Sequence, residues 1–273
     1  MINCREIAYE IKRELKQKLT TIKRDVPPRL AIIQVGDNSA SNNYVKGKIK
    51  DCEEIGITTS LFKLHEDITE EEVIDLIESL NDNEYVHGII VQLPLPPHLN
   101  EERITKYVAA NKDVDGFVPG SPFTPCTPLG VLTLLDKLGV DVDGKLVTLV
   151  GYGKLVNKPL MQLLSDKGAT VCVCRSHTPQ RTLEFLCKFS DIIVSATGKH
   201  GIIDTYCVVG VLTNAAPIVI DCGIQVIDGK QYGDCAEEVY DLIDKVTPRV
   251  GGMGLMTRVG LLQNVIEAYE KWN

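Results

Sequence analysis

Tyr44 and Lys48 are the residues of this chain whose types and spacing point most directly to chemistry. They stand in the run Ala40-Ser41-Asn42-Asn43-Tyr44-Val45-Lys46-Gly47-Lys48, behind the turn formers Gly36-Asp37-Asn38-Ser39. The run reads as a helix from about Ala40 to Gly56. On a helix, residues four apart share a face one turn from each other, so the phenol and the ammonium are neighbours. A ring that stacks on a flat ligand, with an amine beside it, makes a catalytic pair. The competing reading is a surface lysine whose stem packs on the tyrosine while its head stays in water. Gly47 inside this helix costs about 1 kcal/mol relative to alanine, which points to a close approach at that turn.

A helix bearing such a pair must be carried by a larger frame. The chain has 273 residues, long enough for two domains. Its 44% hydrophobic and 24% charged content are those of an ordinary globular protein. A net charge of −8 argues against nucleic acid and anionic membranes as partners, because a phosphate surface needs clustered Lys and Arg. Met1-Ile2-Asn3-Cys4-Arg5-Glu6 has no apolar core of signal-peptide length, and no run approaches the roughly 18 apolar residues of a membrane span. The nine cysteines are scattered without a C-x-x-C pair. Cys172 and Cys174 would share one face of a strand, yet no second pair completes a metal site. Buried free thiols, no metal and a cytoplasmic, soluble protein are expected.

The elements alternate. Residues 4–24 carry Ile7, Ile11, Leu15, Leu19 and Ile22 at helical spacing, ahead of Pro27-Pro28. Residues 30–35 form a buried strand, 58–64 a second and 87–93 a third, with a helix over 69–81 capped by Thr69 and Glu72. Such βαβ units build a parallel sheet, and ligands bind beyond the carboxyl ends of its strands. Gln92, at the tip of the third strand, therefore faces the same edge as Lys48. A polar, Gly- and Pro-rich crossing follows from Asn111 to Pro128 and marks the domain boundary. Asp115-Gly116, within it, is a turn-forming pair.

After a helix over 129–138, a strand over 145–150 runs into Gly151-Tyr152-Gly153 and a helix over 156–166. This is the opening of a dinucleotide-binding βαβ, with pyrophosphate near the helix N-terminus, although Val156 stands where a third glycine would complete the motif. A strand over 170–174 ends in Arg175-Ser176, a cation and a hydroxyl suited to a 2′-phosphate, or else a solvated loop arginine. Strands over 191–195 and 217–221 precede Ala196-Thr197-Gly198 and Cys222-Gly223-Ile224. A glycine loop over 249–257, either an anion cradle or a tight turn, leads into a last helix, roughly Val259 to Trp272.

Motifs in fixed order carry a family resemblance along nearly the whole chain. They are Val-Gly-Asp…Ala-Ser…Tyr-Val-x-x-Lys (35–48), Val-Gln-Leu-Pro-Leu-Pro (91–96), Lys-Asp-Val-Asp-Gly-Phe (112–117) and Pro-Cys-Thr-Pro-x-Gly (125–130). Gly233-Asp234 and Thr-Pro…Gly-Gly-x-Gly-x-Met-Thr (247–257) complete the set. The chain resembles the bifunctional methylenetetrahydrofolate dehydrogenase/cyclohydrolase family. The resemblance implies two α/β domains with a cleft between them: a folate domain over 1–119, completed by a helix over 256–273, and a Rossmann domain over 120–255. It implies oxidation of 5,10-methylenetetrahydrofolate by a nicotinamide dinucleotide, then hydrolysis to 10-formyltetrahydrofolate. Lys48 would be the acid/base residue, Tyr44 the stacking ring, Gln92 a hydrogen-bond partner of Lys48, and Asp115 the acceptor for the aminopyrimidine edge of the pterin. An ordinary lysine, with a pKa near 10.4, needs desolvation or a neighbouring cation to act as a base. The resemblance also places Val91, Leu93, Gly251, Gly252 and Thr257 at the substrate, and Gly151, Tyr152, Gly153, Arg175, Ser176 and Ile224 at the cofactor. It implies a homodimer serving purine, methionine and histidine biosynthesis.

Departures fall on the dinucleotide side. The family's Gly-Arg-Ser-x-x-Val-Gly is here Gly151-Tyr152-Gly153-x-x-Val156-Asn157, and its Cys-His-Ser is Cys174-Arg175-Ser176. The expected cofactor is NADP, with Arg175 replacing the lost arginine, and NAD is the other candidate. Two alternatives stay open at this point: a cyclohydrolase without dehydrogenase activity, and a non-catalytic folate-binding protein.

Overall fold

The structure is a computed structural model that describes residues 1–209 and 216–271, the side chain of Ala40 excepted. Its helices and parallel strands divide into two compact units, one of Tyr9–Cys126 with Arg258–Asn273 and one of Met1–Ala8 with Thr127–Thr257. The divisions fall inside three helices: α1 (Cys4–Thr21), α5 (Cys126–Lys137) and α10 (Met253–Lys271). The sequence pattern suggested divisions at 119/120 and 255/256 instead. Residues 1–8 group with the later unit because the Ile2 N–H donates to Val246 O (2.9 Å) and Arg5 lies against Gly251.

The first unit holds a parallel sheet in the order β2-β1-β3, from β1 (Arg29–Val35), β2 (Thr58–Leu64) and β3 (Gly88–Val91). All of β1 except Arg29 is buried, as a central strand covered on both faces requires. β2, at the edge, alternates half-buried and exposed residues toward its end. Ala31, Ile33 and Val35 pack with Ile89 and Val91 against Val73, Ile77 and Leu80 of α3 (Glu70–Asp82). Thr69 and Glu72 close the expected capping box. The α2 helix (Ser39–Ile55) connects β1 to β2, and a short α4 (Glu101–Thr105) with a 3₁₀ turn (Ala110–Lys112) follows β3.

The second unit holds a parallel sheet in the order β5-β4-β6-β7, from β4 (Leu146–Val150), β5 (Thr170–Cys174), β6 (Ile192–Ser195) and β7 (Ile218–Asp221). α6 (Asn157–Asp166), α7 (Gln180–Phe189) and α8 (Thr205–Val208) connect them, and a hairpin of β8 (Gln225–Ile227) and β9 (Lys230–Tyr232) precedes α9 (Glu237–Leu242). Two helix starts differ from the sequence pattern. α5 begins at Cys126 rather than 129, because its proline, Pro128, sits in the first turn, where no donor is missed. α10 begins at Met253 rather than 259, since buried Met253 and Met256 outweigh the glycine between them. The expected helix end at Trp272 lies outside the described residues. All nine cysteines are free, seven of them buried and Cys172 and Cys222 half-buried.

Candidate active site

Lys48 is only 5% exposed. It belongs to the buried stripe of α2 with Val45, Cys52 and Ile55, at positions a helix turns to one side. The surface-lysine reading fails on this burial. Its Nζ stands 5.1 Å from the centroid of the half-buried Tyr44 ring, within cation–π range.

Gln92 follows β3 and is buried. Strand alternation turns Val91 and Leu93 into the core cluster and Gln92 the other way. Val91 is buried and Leu93 half-buried against that cluster. The expected bond from Gln92 to Lys48 is not formed. Gln92 Nε2 donates to Leu93 O (2.6 Å), and the buried Oε1 has no partner. That donation fixes the amide's orientation, because the flipped amide would set oxygen against oxygen.

Asp115 sits on a loop held at several points. Lys112, fully buried, donates to the carbonyls of Leu80 (3.0 Å), Asn81 (2.6 Å) and Asn83 (2.7 Å) at the end of α3. Asp113 accepts from Val118 N (2.7 Å) and Gly116 N (3.2 Å) and bridges to Ile89 beside β3. Burial raises the Asp113 carboxyl above the usual carboxylate range. Asn264 of α10 donates to Val114 O and Thr124 O, both at 2.8 Å. Asp115 itself is half-buried and takes a weak Sγ–H bond from Cys126 (3.5 Å). The Cys126 thiol is pushed up first by burial and then by the charge of Asp115, while Lys48 draws it down. Lys48 and Asp115 thus act on one buried thiol. Asp115 also lines a small pocket with Val91, Thr105, Val108, Asp113 and Phe117.

In the second unit, Gly151 has φ +99° and a Cβ there would crowd Ala196 O at 2.7 Å, so the β4–α6 turn admits only glycine. Asn157, fully buried in the first turn of α6, donates to Val150 O (2.8 Å) and Gly151 O (3.2 Å), and its Oδ1 has no partner. The N-cap Val156 supplies no side-chain acceptor. An anion at this end would meet the first-turn N–H groups of α6. The Arg175 guanidinium lies 4.7 Å from the Tyr152 ring centroid, which joins the ends of β4 and β5. Gly153 and Ser176 are exposed, and Ile224 is 61% exposed. A tight-turn glycine, a free helix end and a stacked arginine fit a phosphorylated dinucleotide. Gly251 and Gly252 precede α10, and Thr257 within it exchanges a hydroxyl contact with Thr127 (3.1 Å). These three lie in the second unit with the dinucleotide loops. Among the described residues, no group of His, Cys, Asp and Glu is placed to hold a metal ion.

Several contributors carried no role in the sequence pattern: Lys112 and Asp113 beside Asp115, Asn264 on α10, and Asn157 on α6. Lys112 and Asp113 were visible as motif letters. Their partners were not, since they come from distant segments.

The model of the tetrahydrofolate dehydrogenase/cyclohydrolase catalytic domain matches residues 2–115, and that of the corresponding NAD(P)-binding domain matches residues 125–273. The bifunctional protein FolD of Brevibacillus brevis is 39% identical over 279 residues, covering 98% of this chain and 96% of the relative. That of Aquifex aeolicus is 38% identical over 284 residues, covering 99% and 95%. The crystal structure of the bifunctional enzyme from Campylobacter jejuni superposes with a TM-score of 0.90 at 38% identity, covering 98% of this chain and 97% of that one. The Trypanosoma brucei enzyme, complexed with NADP cofactor and inhibitor, gives 0.89 at 29% identity, covering 99% and 97%. No helix among the described residues is long and apolar enough to cross a membrane. From the folate motifs of the first unit through the dinucleotide turn of the second, the chain belongs to the tetrahydrofolate dehydrogenase/cyclohydrolase family.

Proposed function

We propose that the chain is a bifunctional one-carbon folate enzyme. It oxidises 5,10-methylenetetrahydrofolate to the 5,10-methenyl form with NADP and hydrolyses that product to 10-formyltetrahydrofolate. The observation that carries this reading is the buried amine of Lys48 against the Tyr44 ring. Folate is flat, and Tyr44 offers it a face. Asp115 offers a carboxylate to the paired N–H donors of the aminopyrimidine, as it would to a guanidinium. The bound nicotinamide supplies the hydride acceptor for the first step. In the second, water adds to the methenyl carbon and loses a proton. The hydroxyl so formed gives up its remaining proton as the C=O forms and the bond from that carbon to N5 breaks, and N5 takes a proton, so that one proton is released overall. Lys48 handles the proton, and the unpartnered Oε1 of Gln92 is the acceptor toward which its ammonium turns when substrate is bound.

Arg175 supports NADP over NAD, because a 2′-phosphate gains a charge-assisted bond from a guanidinium already held against Tyr152. A homodimer, a cytoplasmic location and one-carbon supply to purine, methionine and histidine biosynthesis belong to the same reading. The test follows methylenetetrahydrofolate turnover by absorbance with NADP and NAD in parallel, and methenyltetrahydrofolate hydrolysis without nucleotide. NADP-dependent oxidation together with hydrolysis is expected, and Lys48→Ala should abolish hydrolysis. Hydrolysis without any reduced nucleotide would leave a cyclohydrolase alone. Hydrolysis untouched by Lys48→Ala would remove the lysine from the mechanism.

A further inference from the structure

Two buried carboxylates of the second unit have no part in the reaction as described. Asp234 is fully buried between β9 and α9. Its Oδ2 accepts from Ser195 Oγ and Thr197 N, both at 2.6 Å, and its Oδ1 from Lys199 N (2.9 Å). Asp221, the last residue of β7, accepts from Gly223 N (2.9 Å) and Asp234 N (3.0 Å) on Oδ1, and from Cys235 N (2.9 Å) and Tyr240 Oη (3.1 Å) on Oδ2. Burial raises the Asp221 carboxyl above its ordinary range, against the lowering effect of these N–H donors. One carboxylate holds the backbone of the other, and that one holds residues 195–199.

A buried carboxylate is costly and persists only where donors fill its lone pairs. What this arrangement fixes is two loops at the carboxyl edge of the sheet, 196–199 after β6 and 222–224 after β7. They touch each other, since a Cβ on Gly198 would lie 3.3 Å from Ile224 O. Gly223 has no room for a Cβ, which would overlap the Asp234 carboxylate. With the order β5-β4-β6-β7, a dinucleotide whose phosphorylated ribose meets Arg175 beyond β5 and whose pyrophosphate meets Gly151 beyond β4 extends its nicotinamide toward β6 and β7. The Asp234 carboxylate lies beneath that end and faces protein donors on both oxygens.

We propose that Asp234 is a positioning residue for the oxidation, setting loop 196–199 against loop 222–224 so that the nicotinamide end of the dinucleotide is seated. The proposal rests on the reading that these loops contact the dinucleotide. Asp234 acts through them and touches no reacting atom.

Asp234→Asn keeps the shape but turns an amide N–H₂ toward the N–H groups of Thr197 or Lys199. The full-length variant is expected to raise the KM for NADP about tenfold or more, the factor that about 1.4 kcal/mol of lost binding gives, with a smaller change in kcat. Nucleotide-free hydrolysis of methenyltetrahydrofolate stays unchanged. An unmoved KM overturns the proposal, and so does a parallel loss of oxidation and hydrolysis, which marks a purely structural role. If Asp234→Asn does not fold, Ser195→Ala removes one hydroxyl from the same carboxylate and should raise that KM about threefold with hydrolysis intact; no rise overturns the proposal equally. Ile224→Asp separates the underlying reading. If it leaves the KM for NADP unchanged, the loops do not contact the dinucleotide and the proposal falls with that reading. If it raises KM while Asp234→Asn does not, the loop assignment stands and the role of Asp234 falls alone.

Discussion

Arg258 lies across Gly47: a Cβ on the glycine would overlap the guanidinium, whose Nε stands 2.8 Å from Asp51 Oδ2. The other Asp51 oxygen meets Lys12 Nζ at 3.2 Å. The network ties α1, α2 and α10 together one turn beyond Lys48. The close approach inferred from Gly47 is therefore to a side chain of α10. Alanine should favour the helix by about 1 kcal/mol, yet here it displaces an arginine from a largely buried pair, and breaking such a pair costs about 3 kcal/mol or more. Gly47→Ala should destabilise the protein by about 2 kcal/mol net. In an Arg258→Ala background the same change should stabilise it, by up to about 1 kcal/mol. Denaturant unfolding of the four proteins of this cycle checks the reversal of sign.

Lys112 ends α3 from outside the helix, donating to the carbonyls of Leu80 and Asn81 in its last turn and of the C-cap Asn83. Burial lowers its pKa, and the carbonyls keep the ammonium solvated within the protein. Lys112→Met fills the space but takes the ammonium from Leu80 O and Asn81 O, while Asn83 O keeps Val86 N (3.0 Å), which should cost about 3 kcal/mol in urea unfolding. The loop anchored there carries Asp115. Below the unfolding transition, the variant should therefore show a raised KM for folate in both reactions, and an unchanged KM would dissociate the helix cap from the substrate carboxylate.

Local features were legible and long-range ones were not. β2 at Thr58–Leu64 and β5 at Thr170–Cys174 match the sequence pattern residue for residue, because each is a short β-branched run between turn formers. The Thr69 cap was equally legible, since its partner Glu72 lies three residues away. Tyr44 and Lys48 were placed by helical spacing, but the burial of Lys48 depends on what packs over α2, and spacing is silent on that. Gln92 shows the limit most plainly. Its position beyond β3 followed from the strand pattern, yet its amide donates to the adjacent carbonyl of Leu93. Asn264 meets Val114 across 150 residues of sequence, and no local pattern reports such a partner.

Arg175 is exposed and held over Tyr152, so its removal should affect cofactor choice more than stability. A guanidinium bond to a phosphate is charge-assisted and about twice as strong as a neutral one. Arg175→Ala should raise the KM for NADP about tenfold or more, leave that for NAD within about a factor of two, and leave hydrolysis unchanged. Tyr152→Leu should shift NADP in the same direction by a smaller factor, through loss of the ring that orients the guanidinium. Equal losses with NADP and NAD would place Arg175 away from the 2′-phosphate.

His87 is buried at the start of β3, where its Nδ1 accepts from Arg29 N (3.1 Å) and its ring meets Tyr269 edge-on at 4.9 Å. Burial lowers its pKa to about 4, and the charges of Arg24, Lys112 and Arg29 act in the same direction. In the unfolded chain it titrates near 6.5. Between those values the unfolded chain binds a proton that the folded one refuses, so stability is undiminished above about pH 6.5 and falls as pH drops toward 4. The loss attributable to this residue should reach about 3 kcal/mol at the lower end. Asp113 and Asp221, whose carboxyls burial raises, oppose it there, because the folded state takes up their protons first. The difference between wild type and His87→Gln cancels those carboxyl contributions. Urea unfolding from pH 7 to 4.5 should give a stability curve for the variant that falls less steeply than that of the wild type. Parallel curves would mean that His87 is protonated in the folded protein as readily as in the unfolded chain.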